Sequence, residues 1–281
     1  MAAGVLSIHQ PAVISLKSPR ELSLMRDAGK IVAESHSIAR ELLRPGVTTA
    51  EVNAAVDKYL TDLGAIPLFK GFPGDVPFPA STCISVNNQI VHGIPGGYVL
   101  KPGDLVSLDV GVKWKGWCGD AAWSYAIGEV DAEKTHLMAA GKYLLHRAIY
   151  LCASRKRWSD VAEDMMREAK RLGVTLVRKF VGHGIGRDMH EPPQVPNFMD
   201  RDMRKSDFEL KPGLVLAIEP MVNAGKPDVK ILGDKWTAVT VDGKPSVHYE
   251  HTVGLTADGP VLLTEGVGEP FDPRSEPIRP E

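Results

Sequence analysis

The chain runs to 281 residues, 43% hydrophobic, 24% charged and 6% aromatic, which allows a sizeable buried core and excludes wholesale disorder or a fibrous fold. Thirty-three Lys and Arg against thirty-five Asp and Glu leave a net charge of −2, so no global field draws phosphate backbones, and nucleic acid is excluded as the main ligand. No run approaches the ~20 apolar residues of a membrane-spanning helix and the start lacks a signal-peptide pattern, so a soluble protein of one large or two smaller domains is expected.

Ser18-Pro19-Arg20-Glu21 reads as a capping box with proline in the first turn. Leu22, Met25, Ile31, Val32, Ile38 and Leu42 follow at mostly helical spacing as far as Pro45-Gly46. Thr48-Thr49-Ala50-Glu51 repeats the signal for a shorter helix that Gly64 closes. From Ser81 the residues become β-branched and turn-rich: Asn87-Asn88 predicts a hairpin tip, and Leu105 to Val110 a buried strand. Beyond Asp131, helices are expected over 132–153 and 159–172, then apolar strands over 174–181 and 214–218. Between Trp236 and Thr264, Asp242-Gly243 and Asp258-Gly259 are hairpin signals, and a β-meander is the simplest reading. Four prolines in the thirteen residues from Glu269 predict a tail that lies on the surface or is disordered.

The order of elements repeats, and so do the residues. Lys101-Pro102-Gly103 precedes Asp109 with five residues between, and Lys211-Pro212-Gly213 precedes Glu219 with the same spacing. A His-Gly-Ile stands ahead of each unit, at His92 and at His183. Two matching α/β halves about a pseudo-two-fold are expected, with a site where they meet. Cys83, Cys118 and Cys152 are odd in number and form no CxxC, which argues against a disulfide scaffold or a thiolate zinc site and for a reducing cytoplasm.

A tight turn at Trp114-Lys115 would set Asp109 directly opposite Asp120 on one sheet face. Like charges there destabilise a strand pair unless a cation lies between them. Taken alone, the pair reads more readily as two solvated aspartates of an edge hairpin. Glu219 ends the apolar run Leu214 to Ile218, and Glu250 sits in the middle strand of the meander, where by itself it reads as an outward-facing residue. His183 and His190 lie among glycines and prolines that predict a loop turning side chains inward. Four carboxylates with one or more imidazoles and no thiolate suit Mn, Fe, Co or Zn, and charge balance favours two divalent ions. Paired ions polarise a carbonyl and lower the pKa of a bridging water, the chemistry of metal-assisted hydrolysis. Gly-x-Ser-x-Gly, P-loop, His-Glu-x-x-His and Rossmann patterns are absent, and Cys83 has no evident base.

From Ile14 to about Thr264 the chain resembles the type I methionine aminopeptidases of the pita-bread fold. The motifs are Cys83-Ile-Ser-Val-Asn87, His92-Gly-Ile-Pro95, the aspartates of Leu108-Asp109-Val110 and Gly119-Asp120, Gly182-His-Gly-Ile-Gly186, Met189-His-Glu-Pro192, Ile218-Glu-Pro-Met221 and Glu250-His-Thr252. The resemblance implies an α+β pita-bread domain over 14–266, two pseudo-symmetric α/β halves with a central antiparallel sheet backed by helices, after a short extension 1–13 and before a Pro-rich tail 267–281. It implies Asp109, Asp120, His183, Glu219 and Glu250 as ligands of two divalent ions (Co, Mn, Fe or Zn). Asp120 and Glu250 would bridge, with Asp109 on one ion and His183 and Glu219 on the other. It further implies that His92 and His190 contact the substrate backbone and help with proton transfer, and that Glu219 doubles as general base. Phe69, Phe72, Cys83, Met189 and Trp236 would form the methionine pocket, with Phe69 and Phe72 where several members have tyrosine and Met189 where they have phenylalanine. The stretch Pro73 to Ala80 looks longer than in compact bacterial relatives. The implied activity is removal of the N-terminal Met from peptides and nascent chains when the second residue is small, by a cytoplasmic monomer in transient association with the ribosome. The extension carries no zinc-finger domain, and Gln10-Pro11 is too short for a docking motif.

Two rivals remain. A proline-specific peptidase of the same fold would share the ligand set but usually carries a large amino-terminal domain, for which the start of the first helix near Ser18 leaves no room. A non-catalytic pita-bread binding module would typically have lost metal ligands, and all five are kept.

Overall fold

The computed structural model describes residues 13–280, so the expected extension 1–13 falls outside it except for Val13. Helix α1 (Pro19–Leu42) starts where the Ser18 hydroxyl accepts from Glu21 N–H and the Glu21 carboxylate accepts from Ser18 N–H. Helix α2 (Thr49–Leu63) repeats that box with Thr48 and Glu51, and Gly64 closes it at φ 75°. Strands β1 (Ile66–Pro67), β2 (Cys83–Val86) and β3 (Gln89–Val91) follow, then the ten-residue strands β4 (Leu105–Trp114) and β5 (Trp117–Ala126). Helices α3 (Ala132–Leu151) and α4 (Trp158–Arg171) open the second half. After them come β6 (Thr175–Leu176), β7 (Gly182–Gly184), β8 (Glu191–Val195), β9 (Val215–Ile218), β10 (Met221–Asn223), β11 (Val229–Ile231), β12 (Ala238–Thr240), β13 (Ser246–His248), β14 (His251–Thr256) and β15 (Gly259–Leu262).

The first half is built on the antiparallel order β1-β4-β2 with β5 on β4, and the second on β15-β14-β9-β7-β8. Helix α1 lies across β4 and β5, while α3 lies across β9, β10 and β13. The main core runs from Val32 and Val56 through Leu108 and Val110 to Leu144, Leu216 and Val253, all fully buried. Each such side chain contributes ~1.5–3 kcal/mol on leaving water. The repeat is visible in the backbone: Gly103 (φ 90°) and Gly213 (φ 93°) take the same left-handed conformation two residues before β4 and β9 begin.

The two halves meet where β5 runs beside β13 and β14, and hydroxyl groups stand in for part of the missing ladder. Thr252 Oγ1 accepts from Asp120 N–H (3.0 Å) and donates to Asp120 O (2.7 Å). Ser124 Oγ does the same for the His248 backbone, at 3.0 Å each way. One direct backbone bond, Glu250 N–H to Ala122 O at 2.8 Å, lies between these bridges.

Several expectations are corrected. The β4–β5 turn is Lys115-Gly116, both at positive φ (48° and 82°), so Asp120 pairs with Gly111 and Asp109 with Ala122. The two aspartates are therefore diagonal neighbours on one face and not directly opposite, a register shift of two that preserves the face. Asn87-Asn88 does reverse the chain, with Asn87 at φ 56°, but β2 pairs with β4 and β3 with β12. Asp242-Gly243 likewise joins strands of different sheets, so the last third is no simple meander; only β14–β15 forms a hairpin there, with Gly259 the first residue of its second strand. The stretch around His183 is strand β7 in the middle of a sheet and not a loop. Glu250 lies between β13 and β14 and not within a strand.

The tail from Glu269 lies on the surface but is tied down. Phe271 stacks on His146 at 3.6 Å between centroids, Arg279 bonds buried Glu168 at 2.7 Å, and Glu276 and Glu269 reach Arg147 and Lys142.

Candidate metal centre and substrate cleft

The five expected ligands come from both sides of the seam. Asp109 and Asp120 project from one face of the β4–β5 hairpin, and Gly111, opposite Asp120, leaves them room: a Cβ there would lie 3.2 Å from Asp120 Oδ1. Glu219 follows β9 one position beyond the Ile218–His251 pair, which sets it opposite Glu250, and His183 pairs with Ala217 on β9 two positions before it. Ligand atoms of Asp120, His183 and Glu250 lie within 4.8 Å of one another. His183 Nε2 is 3.5 Å from Glu219 Oε1. The Gly184 carbonyl accepts from His183 Nδ1 at 3.0 Å, so Nδ1 carries the ring proton and the lone pair of Nε2 faces the carboxylates.

Depth orders the cluster. Glu250 and Asp120 are 2% and 4% exposed, Asp109 9%, while the side chains of His183 and Glu219 keep 12%. Asp109 Oδ1, Asp120 Oδ1 and Glu250 Oε1 are buried without a hydrogen-bond partner. Burial pushes the Asp120 carboxyl up to about 7. Burial and the neighbouring carboxylates push Asp109, Glu219 and Glu250 well above the usual range. Burial holds His183 down to about 3. Repelling carboxylates beside a neutral imidazole form a donor set that a pair of divalent cations would complete.

Beside the carboxylates Phe69, Phe78, Ala80, Cys83 and Met189 pack together, flanked by Phe72, Ile94 and Trp236. Cys83 pairs with Asp109 across β2–β4, so the pocket wall and the carboxylates share adjoining strands. All five expected pocket residues converge here. Phe78, 2% exposed, was not anticipated; the dipeptide Phe78-Pro79 just ahead of β2 was its only sequence signal. His92 packs on Trp236 and His190 on Phe72 beside this cluster, and burial lowers the pKa of both, His92 to about 4. The rings of His190 and His183 meet edge to face at 4.3 Å. His248 was also missed: its Nε2 is buried, unpartnered and 3.6 Å from Glu219 Oε2.

A seam of carboxylates in a duplicated α/β fold, beside a cluster of aromatic and sulfur-bearing side chains, defines a pita-bread metallopeptidase. The model of metallopeptidase family M24 matches residues 23–257, and the chain belongs to that family, among its methionine aminopeptidases. It is 42% identical over 252 residues to methionine aminopeptidase 1 of Bacillus subtilis (strain 168), covering 90% of this chain and 99% of the relative. Against the methionine aminopeptidase of Clostridium perfringens (strain 13 / Type A) the identity is 46% over the same shares. The crystal structure of methionine aminopeptidase from Thermotoga maritima superposes with a TM-score of 0.84 at 39% identity, covering 90% of this chain and 99% of that one. A prolidase from Pyrococcus furiosus shares the fold at 21% identity and a TM-score of 0.69, with this chain spanning 65% of its length.

Proposed function

We propose that this protein removes the N-terminal methionine from peptides and nascent chains whose second residue is small, with Asp109, Asp120, His183, Glu219 and Glu250 as the residues that would hold two divalent ions. The observation that carries the reading is the juxtaposition of three buried, unpartnered carboxylate oxygens with a cluster of aromatic and sulfur-bearing side chains. When bound, the ions polarise the scissile carbonyl and lower the pKa of water. The chain's own residues do the rest. The pocket takes an unbranched thioether, to which the Phe rings, the Cys83 thiol and Met189 offer polarisable contact. The depth of the carboxylates at the meeting of the halves limits the size of the following side chain. His92 and His190 are neutral at pH 7, so each can donate one N–H toward the developing oxyanion and accept at its other nitrogen. Glu219, its basicity raised by burial and bracketed by two imidazoles, is placed to take up and return a proton at its carboxylate.

The free thiols of Cys83, Cys118 and Cys152, all buried, support a reducing cytoplasmic setting, and among the described residues no helix is long and apolar enough to cross a membrane. On this reading the protein works as a monomer that meets nascent chains by transient association with the ribosome. The fold shared with the prolidase keeps a proline-specific reading in view. Hydrolysis of Met-Ala-Ser, Met-Trp-Ser and Ala-Pro-Ser by metal-stripped protein, with Mn, Co, Fe or Zn added back, decides between them. Cleavage of Met-Ala-Ser alone, and only with metal, is expected; cleavage of the Ala-Pro bond would move the chain to the proline-specific branch.

A further inference from the structure

Residues 185–190 join β7 to β8 and carry Met189 and His190. The two side chains are held differently. Met189 is 8% exposed and packs with Phe69, Phe78 and Cys83, whereas the His190 ring is met edge to face by the rings of His183 at 4.3 Å and Phe72 at 5.5 Å, contacts that leave its aim to the backbone beneath it. That backbone is tied to a buried ion pair. Lys17 Nζ lies 2.6 Å from Glu191 Oε2, with the two side chains 4% and 16% exposed. Glu191 Oε1 accepts from Arg187 N–H (2.7 Å) and Asp188 N–H (3.2 Å), so one carboxylate joins the lysine to the two residues before Met189. Burial alone would raise the Glu191 carboxyl, but the Lys17 ammonium and these loop amides hold it below its ordinary value. Gly186 is fitted to the pair. A Cβ there would lie 2.5 Å from Glu191 Oε1 and 2.6 Å from Lys17 Cε, and Gly186 is not in the left-handed region, so close approach and not φ calls for glycine. Lys17 is itself fixed at both ends: its N–H donates to Gly213 O at 2.7 Å, and its ammonium also donates to Ser15 O at 3.0 Å.

We propose that Lys17 is a positioning residue of this site: its ammonium anchors Glu191, and the anchored carboxylate fixes the Arg187–Asp188 backbone so that His190 is aimed at the substrate. The proposal rests on the methionine-removing reading above, in which His190 donates toward the developing oxyanion. Stability alone does not account for the pair, since well-packed apolar side chains in place of a buried ion pair are often as stabilising or more so. A carboxylate that accepts from two loop amides does what no apolar side chain can. Misplacing a reacting group by 1 Å can cost about 10²-fold in rate, so a loop released from its anchor is visible in the kinetics.

Lys17→Met keeps the length of the side chain and removes the ammonium. The kcat on Met-Ala-Ser is expected to fall about 10-fold or more, with KM and metal content unchanged, because Met189 stays packed and the ligand set is intact. In a His190→Ala background the same substitution should lower kcat by no more than about twofold, since the ring it positions is gone. A merely structural lysine would lower kcat by the same factor in both backgrounds. Should the stranded Glu191 carboxylate keep Lys17→Met from folding, the double variant Lys17→Met/Glu191→Gln strands no charge, still loses the tie to Lys17, and carries the same cycle. Unchanged kcat without the ammonium, a rise in KM alone, or equal fold-losses with and without the His190 ring would overturn the proposal. Absence of Met-peptide cleavage by the unaltered protein, or full kcat in His190→Ala, would instead refute the reading on which it rests.

Discussion

At the centre of the molecule, side chains have been brought together that repel one another without a cation. Because Asp120 is pushed up to about 7, and Asp109, Glu219 and Glu250 well above the usual carboxylate range, the metal-stripped cluster holds protons at pH 7 that metal binding must displace. His183, held down to about 3, contributes none. The sign follows: raised pKa values mean bound protons at neutral pH, so metal affinity strengthens as pH rises through 7, and calorimetric heats depend on the ionisation enthalpy of the buffer. Heats identical in phosphate and Tris would contradict this. Glu250→Ala should lose metal together with turnover, whereas His190→Ala should keep its metal and lower kcat by about 10²- to 10⁴-fold, the usual contribution of a positioned proton-transfer group. Metal content by elemental analysis beside kcat separates the two. Glu219 was legible in the sequence because a carboxylate ending an apolar run seldom lacks a partner, whereas Asp109, Asp120 and Glu250 each read on their own as solvated residues. His248 was not, since its approach to Glu219 depends on β13 and β9 belonging to different sheets, which no local pattern encodes.

Among the elements, those with local signals were read best. Both capping boxes start their helices as expected, because Ser18 with Glu21 and Thr48 with Glu51 satisfy each other's backbone donors without help from the fold. Pairing over long range was harder. The β4–β5 register was misplaced by two because Lys115, a residue with no bias toward positive φ, takes a left-handed conformation in the turn. Strands β3 and β13 each sit beside a turn yet pair elsewhere, a choice made by tertiary packing. The seam between β5 and β14 was invisible, since a threonine hydroxyl replaces ladder bonds there. Thr252→Val keeps the shape but strands the Asp120 N–H and carbonyl in the interior, at a cost of about 2–4 kcal/mol. Chemical denaturation measures it, and a midpoint equal to that of the unaltered protein would show that the bridge contributes nothing.

The whole chain is a duplication whose two copies have diverged in chemistry but not in framework. The Lys-Pro-Gly repeat announced this, and Gly103 and Gly213 begin equivalent strands with near-identical backbones. The fate of the tail was not legible: its proline content resembles that of a loose segment, yet Phe271 and Arg279 find partners on α3 and α4. Truncation after Gly268 should lower the unfolding midpoint by about 2–4 °C and leave kcat/KM on Met-Ala-Ser unchanged, because the tail's ion pairs are with Lys142, Arg147 and Glu168 of α3 and α4, and it approaches the carboxylate cluster only through the Phe271 ring, 5.8 Å from that of His251. Calorimetry paired with the peptide assay checks both halves of that statement, and a loss of activity without a loss of stability would overturn it.

The central claim is that carboxylates from both halves act together, through the metals they hold, on an N-terminal methionine. Titration of the metal-stripped protein with Mn²⁺ or Co²⁺ while free methionine is released from Met-Ala-Ser tests it most directly. Turnover should be absent without metal, rise with metal added, and be abolished in a folded Asp120→Ala variant. Full turnover by metal-stripped protein, or by that variant, would contradict the account.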